Sequence, residues 1–267
     1  MRSSPTSIWA FRHLIRRLVL SELRTGVARR KLGILWWLLD PILLLGVYWG
    51  VVVGLLGAGR EVGGPYPLFL CAGLLLWKWI SSSLGRGSAS FVARPGLLKS
   101  VAVPLAVIPI SLALGGAIPW GVAMALLFFI STVVGQISIE ISVLQAVPLF
   151  FLTTVLVVSL SGIASLTTVY VRDLTGLLPH MLRATYYLSP GLWSLEALQA
   201  KVGAKLFQIY LFINPAAIPM HSWRRITFNG GVIDPFHWKI MMAHCVVFIC
   251  ITAFLFRRYE SDVVRRL

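Results

Sequence analysis

Charge is scarce in this chain. Only 9 of its 267 residues are Asp or Glu, and all charged types together make 12 %, about half of what a soluble domain carries. Clustered carboxylates for catalysis or metal binding therefore have little to draw on. No paired-carboxylate, Ser/His/Asp or zinc-ligand constellation is visible. Cys71, Cys245 and Cys250 all fall in apolar runs, an odd count without paired spacing that gives neither a disulfide framework nor a metal site. The chain has no G-x-x-x-x-G-K-[ST] stretch, which excludes a P-loop for ATP. Its first 30 residues hold basic side chains throughout and no uninterrupted apolar core, so no cleavable signal peptide is expected. His237 and His244 are seven apart and can share a helix face, but no acid accompanies them and a structural or interfacial role is the plainer expectation. Ion-coupled transporters keep acids or histidines inside spans as relays. Here Asp40, Lys78 and Glu140 read as boundary residues. The chain is therefore expected to be no enzyme by itself, and to draw its energy from a separate protein.

What is abundant is apolar sequence, 58 % of the residues. Several windows of about 20 residues lack charge, enough to cross a hydrocarbon core about 30 Å thick. The runs are continuous, unlike the alternating strands of a barrel. The expectation is an all-α integral membrane protein. The net charge of +15 fits orientation and anionic headgroups better than nucleic acid.

Along the chain, Pro5-Thr6-Ser7 marks a helix start. Ile8, Phe11, Ile15, Leu18 and Val19 then recur at helical spacing, with Arg12, Arg16 and Arg17 largely off that stripe. Residues 1–33 read as an arm whose amphipathic helix lies in the membrane interface, with Gly26 expected to interrupt it. Spans are expected at about 34–56, 66–84, 104–130, 142–170, 174–190 and 238–256, followed by a basic tail at 257–267. Pro41 is able to kink the first span, and residues 85–103 read as a polar, basic connection. Between 191 and 213 two pieces, Leu192–Lys201 and Ala204–Ile213, are each too short to cross and read as re-entrant or interfacial half-helices. Six spans put both termini on one side. That side collects 17 Lys and Arg against 6 on the other, with Lys78 unassigned, so both termini are expected in the cytoplasm.

With the spans placed, the sequence resembles the permease subunit of ABC-2 type exporters of bacterial cell-surface polysaccharide, those of O-antigen and teichoic acid. The basic arm running into Leu32-Gly33-Ile34-Leu35-Trp36 and then Pro41 is similar to that family's L-G-x-L-W…N-P opening. Pro104 and Pro109 match its spaced prolines, and Arg172-Asp173-Leu174 its R-D-L turn. Ser189-Pro190, Asn214-Pro215, Trp223-Arg224 and Asn229-Gly230 follow in the order of its S-P…N-P…W-R…N-G region. Each motif is weak alone, whereas the joint order is specific. Asp40 stands where the family commonly has Asn, Gly26 at a usually basic position, and Val103 and Leu105 where Phe and Arg are common.

The resemblance implies a bacterial inner-membrane protein in which two copies of the permease pair with two nucleotide-binding subunits. Those subunits, not this chain, hold ATP and Mg. The cargo is a polyprenyl-pyrophosphate-linked glycan. It also implies roles for segments: an interface helix over 7–31 beside a lateral opening, an ATPase-coupling loop over 86–100 containing Arg86, Arg94 and Lys99, and outer gate half-helices over 191–213. Gly33, Trp36, Pro41, Arg172, Asp173, Pro190, Asn214 and Pro215 are the matching structural motif positions. Local pairing of Arg172 with Asp173 would stabilise the turn they share.

Several residues have two readings. Arg24, Arg29, Arg30 and Lys31 can attract a pyrophosphate or simply anchor the cytoplasmic face. Arg183 faces a channel if it lies well inside the fifth span, or that span begins later. Tyr48, Trp49, Tyr186, Tyr187 and Trp193 can line a glycan conduit and gate, or form an interfacial belt. As alternatives for the whole chain, an ABC-2 exporter of a drug, small lipid or capsule polymer stands beside the polysaccharide reading, and a membrane-embedded glycan- or lipid-modifying enzyme stands further off.

Overall fold

A computed structural model describes residues 9–28, 31–55, 66–93, 103–135, 141–229 and 231–266. The described elements are helices. In chain order they are α1 (Arg12–Ala28), a 3-10 turn (Gly33–Leu35), α2 (Trp36–Tyr48) continued by a π-helical stretch (Trp49–Leu55), α3 (Tyr66–Val92), α4 (Val107–Val133), a second 3-10 turn (Ile141–Gln145), α5 (Ala146–Tyr170), α6 (Leu174–Leu188), α7 (Leu195–Ile213), α8 (Ala217–Asn229) and α9 (Pro235–Arg266). Among the described residues five segments are long and apolar enough to cross a membrane: Gly33–Val51, Tyr66–Val92, Val107–Val133, Val143–Tyr170 and Pro235–Val263. The protein is an all-α, multi-pass membrane protein, as its apolar runs imply.

Several boundaries differ from the sequence reading, each for a physical reason. Gly26 does not interrupt α1, which continues to Ala28; one glycine costs a helix only about 1 kcal/mol. Residues 85–92 are helical, because Gly87, Ser88 and Phe91 are buried and prolong the packed face of α3. The tail from Arg257 is the end of the 32-residue α9, anchored by buried Phe256 and Val263. At 15 residues, α6 is about 22 Å long, short of a hydrocarbon core of about 30 Å. Between 195 and 213 the chain forms two helical pieces that meet at Gly203, whose φ is +70°. A residue with a Cβ is strained in that conformation, so the break falls on the glycine between the two expected pieces.

α3 is the centre of the bundle. In its apolar stretch 67 % of residues are buried, against 6 % for the first span. It packs on α4, α5, α6 and α8. Without a strong hydrophobic drive inside lipid, helices join through small residues and interhelical hydrogen bonds. Ser161 of α5 donates to the Ser83 carbonyl (3.1 Å), and Trp79 of α3 donates to the Ala113 carbonyl (3.0 Å). Thr252 of α9 donates to the Ser159 carbonyl (3.0 Å). Trp79 stacks on Trp120 at 4.6 Å and Trp120 on Phe150 at 5.8 Å, while Trp223 meets Trp120 edge-on at 4.9 Å.

A smaller cluster of Phe91, Leu105, Leu166, Val169, Phe256 and Val263 closes one end. There Glu260 accepts from the Leu105 backbone N–H (2.8 Å), and Tyr170 donates to Asp262 (2.8 Å). α1 packs along α4 near this end. Its half-buried rows are Leu14/Ile15, Leu18/Val19 and Glu22/Leu23, with Arg12, Arg16, Arg17 and Arg24 exposed. The opposite end carries the α6–α7 turn and α8.

Candidate functional site

Three of the weak sequence motifs meet at that opposite end. Ser189 follows the last turn of α6 and Asn214 that of α7. The Asn214 amide donates to Ser189 Oγ (2.9 Å), to the Leu188 carbonyl (3.4 Å) and to Tyr210 Oη (3.2 Å). Its Oδ1 accepts from the Ala216 N–H (3.1 Å). That last bond is an Asx turn, which lets Asn open a helix after Pro215 where an apolar residue would leave the backbone unpaired. One side chain thus ends α7, starts α8 and holds the end of α6.

Arg224 of α8 completes the knot. It is 4 % exposed. Its Nε donates to the Phe69 carbonyl of α3 (3.0 Å). Nη1 donates to the Pro190 carbonyl and to that of Trp193 (3.2 Å), and Nη2 to the Gly191 carbonyl. The guanidinium carbon stands 3.7 Å from the Phe69 ring centroid, a cation–π contact. Burial pulls the Arg224 pKa down to about 10, so the group remains a cation at neutral pH. A planar fork with five donors suits four carbonyls in a way a lysine cannot match. The site needs Gly73, because a methyl group there would collide with the guanidinium. Arg224 was legible only as half of a Trp-Arg motif between the expected spans. Its single signal was the motif itself, since nothing in the spacing says that residues 69, 190, 191 and 193 converge on it.

Beside this knot lies a titratable corner. His221 Nδ1 is 3.7 Å from Glu196 Oε1, and its ring meets His237 edge-on at 5.1 Å. Burial lowers the His221 pKa to about 4, with Glu196 opposing and His237, Arg225 and Arg224 reinforcing. His237 and His244 do not act together: His244 Nε2 is 2.9 Å from the Phe212 carbonyl. Among the described residues no group of three or more His, Cys, Asp or Glu is placed to hold a metal ion.

The aromatic candidates divide. Tyr48, Tyr186 and Tyr187 gather with Tyr66 at this end, and Tyr66 donates to the Leu192 carbonyl (2.9 Å). Tyr187 is 59 % exposed whereas Tyr186 is buried against Trp77. Trp49 is exposed. Trp193 donates to the Tyr187 carbonyl (3.3 Å) and packs on Tyr210.

The basic candidates also divide. Arg24 lines a cleft of about 520 Å³ along α1 with Arg17, Leu20, Ser21, Thr25 and Ala28. Lys31 is exposed in the turn that follows, and Arg183 is exposed on α6 outside that cleft. Arg29, Arg30, Arg94 and Lys99 lie outside the described residues. Arg86 is not on a free loop. It sits in α3, pairs with Glu22 of α1 (2.7 Å) and donates to the Leu112 carbonyl (3.3 Å).

Gly33 (φ +53°), Trp36 and Pro41 occupy the start of the first span, with Pro41 buried inside α2. Arg172 and Asp173 form no ion pair with each other among the described contacts. Both are exposed, and the turn is held instead by backbone bonds from Gly176 and Leu177 to the Asp173 carbonyl (3.0 Å each). Asp173 then precedes α6, where its charge favours the helix N-terminus.

The architecture is that of a multi-pass membrane protein with the basic helix α1 at one end and a polar knot at the other. No protein-family model matches the chain. It is 27 % identical over 256 residues to the O-antigen export system permease protein RfbA of Myxococcus xanthus, covering 96 % of this chain and 95 % of that protein. It is 26 % identical over 218 residues to a protein of the same name from Klebsiella pneumoniae, covering 78 % of each. The resemblance to polysaccharide-export permeases drawn from the motifs is borne out over nearly the full length.

Proposed function

We infer that this chain is the membrane permease subunit of a polysaccharide exporter, a transporter rather than an enzyme. The observation that carries this is similarity across 96 % of the chain to an O-antigen export permease, in a protein whose described residues include five helices long and apolar enough to cross a membrane. The cargo we propose is a lipid-linked glycan of O-antigen or teichoic-acid type. Two copies pair with two ATPase subunits that bind ATP and Mg. The complex sits in the bacterial cytoplasmic membrane with both termini inside, and α6 serves as the short fifth of six crossings.

Under this reading the Arg17–Arg24 cleft on α1 receives the pyrophosphate of the carrier lipid. Two guanidiniums seven residues apart lie on one helix face, with Ser21 between them. The Ser189–Asn214–Arg224 knot is the fixed frame of the outer gate, and exposed Tyr187 and Trp49, with half-buried Tyr48 beside them, offer ring faces along which sugars slide.

Deleting the gene from its native host tests the function. Loss of surface polysaccharide with lipid-linked glycan accumulating inside the cell is expected. Unchanged surface polysaccharide would overturn the reading.

A further inference from the structure

Two residues that the sequence placed at span boundaries are joined. Asp40 of α2 and Lys78 of α3 form an ion pair, with side chains 43 % and 61 % exposed respectively. Neither is at a span end. Asp40 is about 10 Å along its helix from Gly33, and Lys78 about 18 Å from Tyr66 and 21 Å from Val92. Asp40, with one methylene, has no reach toward the membrane surface. Charges at such depth face a cavity or a water path rather than lipid.

The surroundings agree. α3 is the most deeply covered span, yet its open side at Lys78 continues through Ser81, Ser82 and Gly85, the i+3, i+4 and i+7 positions of one helix face. The open sides of the other spans are apolar: Phe129 and Val133 on α4, Phe151 on α5, Val247 and Phe254 on α9. Leu74 and Leu84 of α3 are half-buried as well, but its two exposed residues, Lys78 and Ser82, are both polar; a central helix whose most open positions are polar belongs to the wall of an aqueous path. The face ends at Arg86, whose Nε donates to the Ser82 carbonyl (3.2 Å) and whose head is held by Glu22.

We propose that the Asp40–Lys78 pair and Ser81, Ser82 and Gly85 form part of the wetted wall of the translocation path, with Asp40 neutralising Lys78. This rests on the permease reading. A bare ammonium on that wall would trap a passing phosphate group; a paired one lets it slide. Asp40 is thus a positioning residue that sets the charge the cargo meets.

The test reads the wall directly in native membranes carrying the whole exporter. In a Cys250→Ser background, with Cys71 and Cys245 buried, Ser82→Cys and Val247→Cys are treated with membrane-impermeant methanethiosulfonates, one anionic and one cationic. Ser82→Cys is expected to react at least tenfold faster than Val247→Cys; equal rates overturn the wetted wall. Adding Asp40→Asn is expected to raise the anionic-to-cationic rate ratio at Ser82→Cys about tenfold, the effect of one uncovered charge at close range. The exchanged pair Asp40→Lys with Lys78→Asp is expected to restore the ratio. A ratio that Asp40→Asn leaves unmoved overturns the neutralising role, whereas a merely structural pair would change protein yield and not the ratio. Labelling is independent of what is carried, so these failures are distinguishable from a failure of the permease reading, which surface polysaccharide reports.

Discussion

Two arginines hold the two ends of the bundle together in opposite ways. Arg224 is buried, forms no ion pair with a carboxylate among the described residues and gives its donors to carbonyls from the α6–α7 turn and α3. Arg86 is 37 % exposed and pairs with Glu22, itself 32 % exposed. A buried guanidinium that gives four hydrogen bonds to backbone carbonyls is costly to disturb, because removal strands several carbonyls together. A half-exposed ion pair contributes about 1 kcal/mol or less. One end is therefore tied by buried bonds, while the other holds α1 by a weaker, half-exposed pair.

That contrast can be broken most forcefully at the knot. Arg224→Met should cost more than about 3 kcal/mol, seen as loss of folded protein on detergent size-exclusion and of thermal stability. Arg224→Lys should fail nearly as badly, since a lysine head does not span four acceptors. Gly73→Ala should reproduce the defect by displacing the same guanidinium; a stable Gly73→Ala protein would show that the head is not fixed there. Asn214→Leu comes next, at about 2 kcal/mol, by uncoupling α6, α7 and α8 while leaving Arg224 in place.

A smaller effect is expected at His221. Its pKa is lowered to about 4 from an ordinary 6.5, so the folded state binds fewer protons than the unfolded state between those values. The contribution is complete above about pH 6.5 and falls as pH drops toward 4, by at most about 1.4 kcal/mol per pH unit. Thermal melting between pH 7.5 and 5 should show this slope, and His221→Gln should flatten it. The smallest effect belongs to the other end. Glu22→Gln should lower stability by about 1 kcal/mol or less, while exchanging the pair (Glu22→Arg with Arg86→Glu) should recover most of it. If Glu22→Gln destabilises as much as Arg224→Met, the two ends are not different in kind.

Much of this organisation is legible in the residues. Uncharged runs give the spans, and the i, i+4 rows of α1 give its orientation without any tertiary information. Gly203 marks the break between two short helices because only glycine adopts its φ cheaply. The helix ends are less legible. Residues 85–92 look polar and loop-like, but Gly87, Ser88 and Phe91 are buried and keep the helix going.

The candidate site was legible as a list and not as a place. Ser189, Asn214 and Arg224 could be quoted in order, but their shared hydrogen bonds join positions 25 to 155 residues apart. Tyr186 and Tyr187 are neighbours with the same chemistry, yet one packs on Trp77 and the other faces outward, a choice made by helix phase.

The sequence by itself determined that this is a membrane protein of many helices, which end is basic, and that no ATP-binding loop is carried. Those follow from composition and local periodicity, which need no partners. Only the tertiary structure decided where the scarce charges go. It buried Arg224 among carbonyls, tied Arg86 to Glu22 and joined Asp40 to Lys78. In a bilayer each such charge must find a partner or water, and which one it finds depends on helices far apart in the chain.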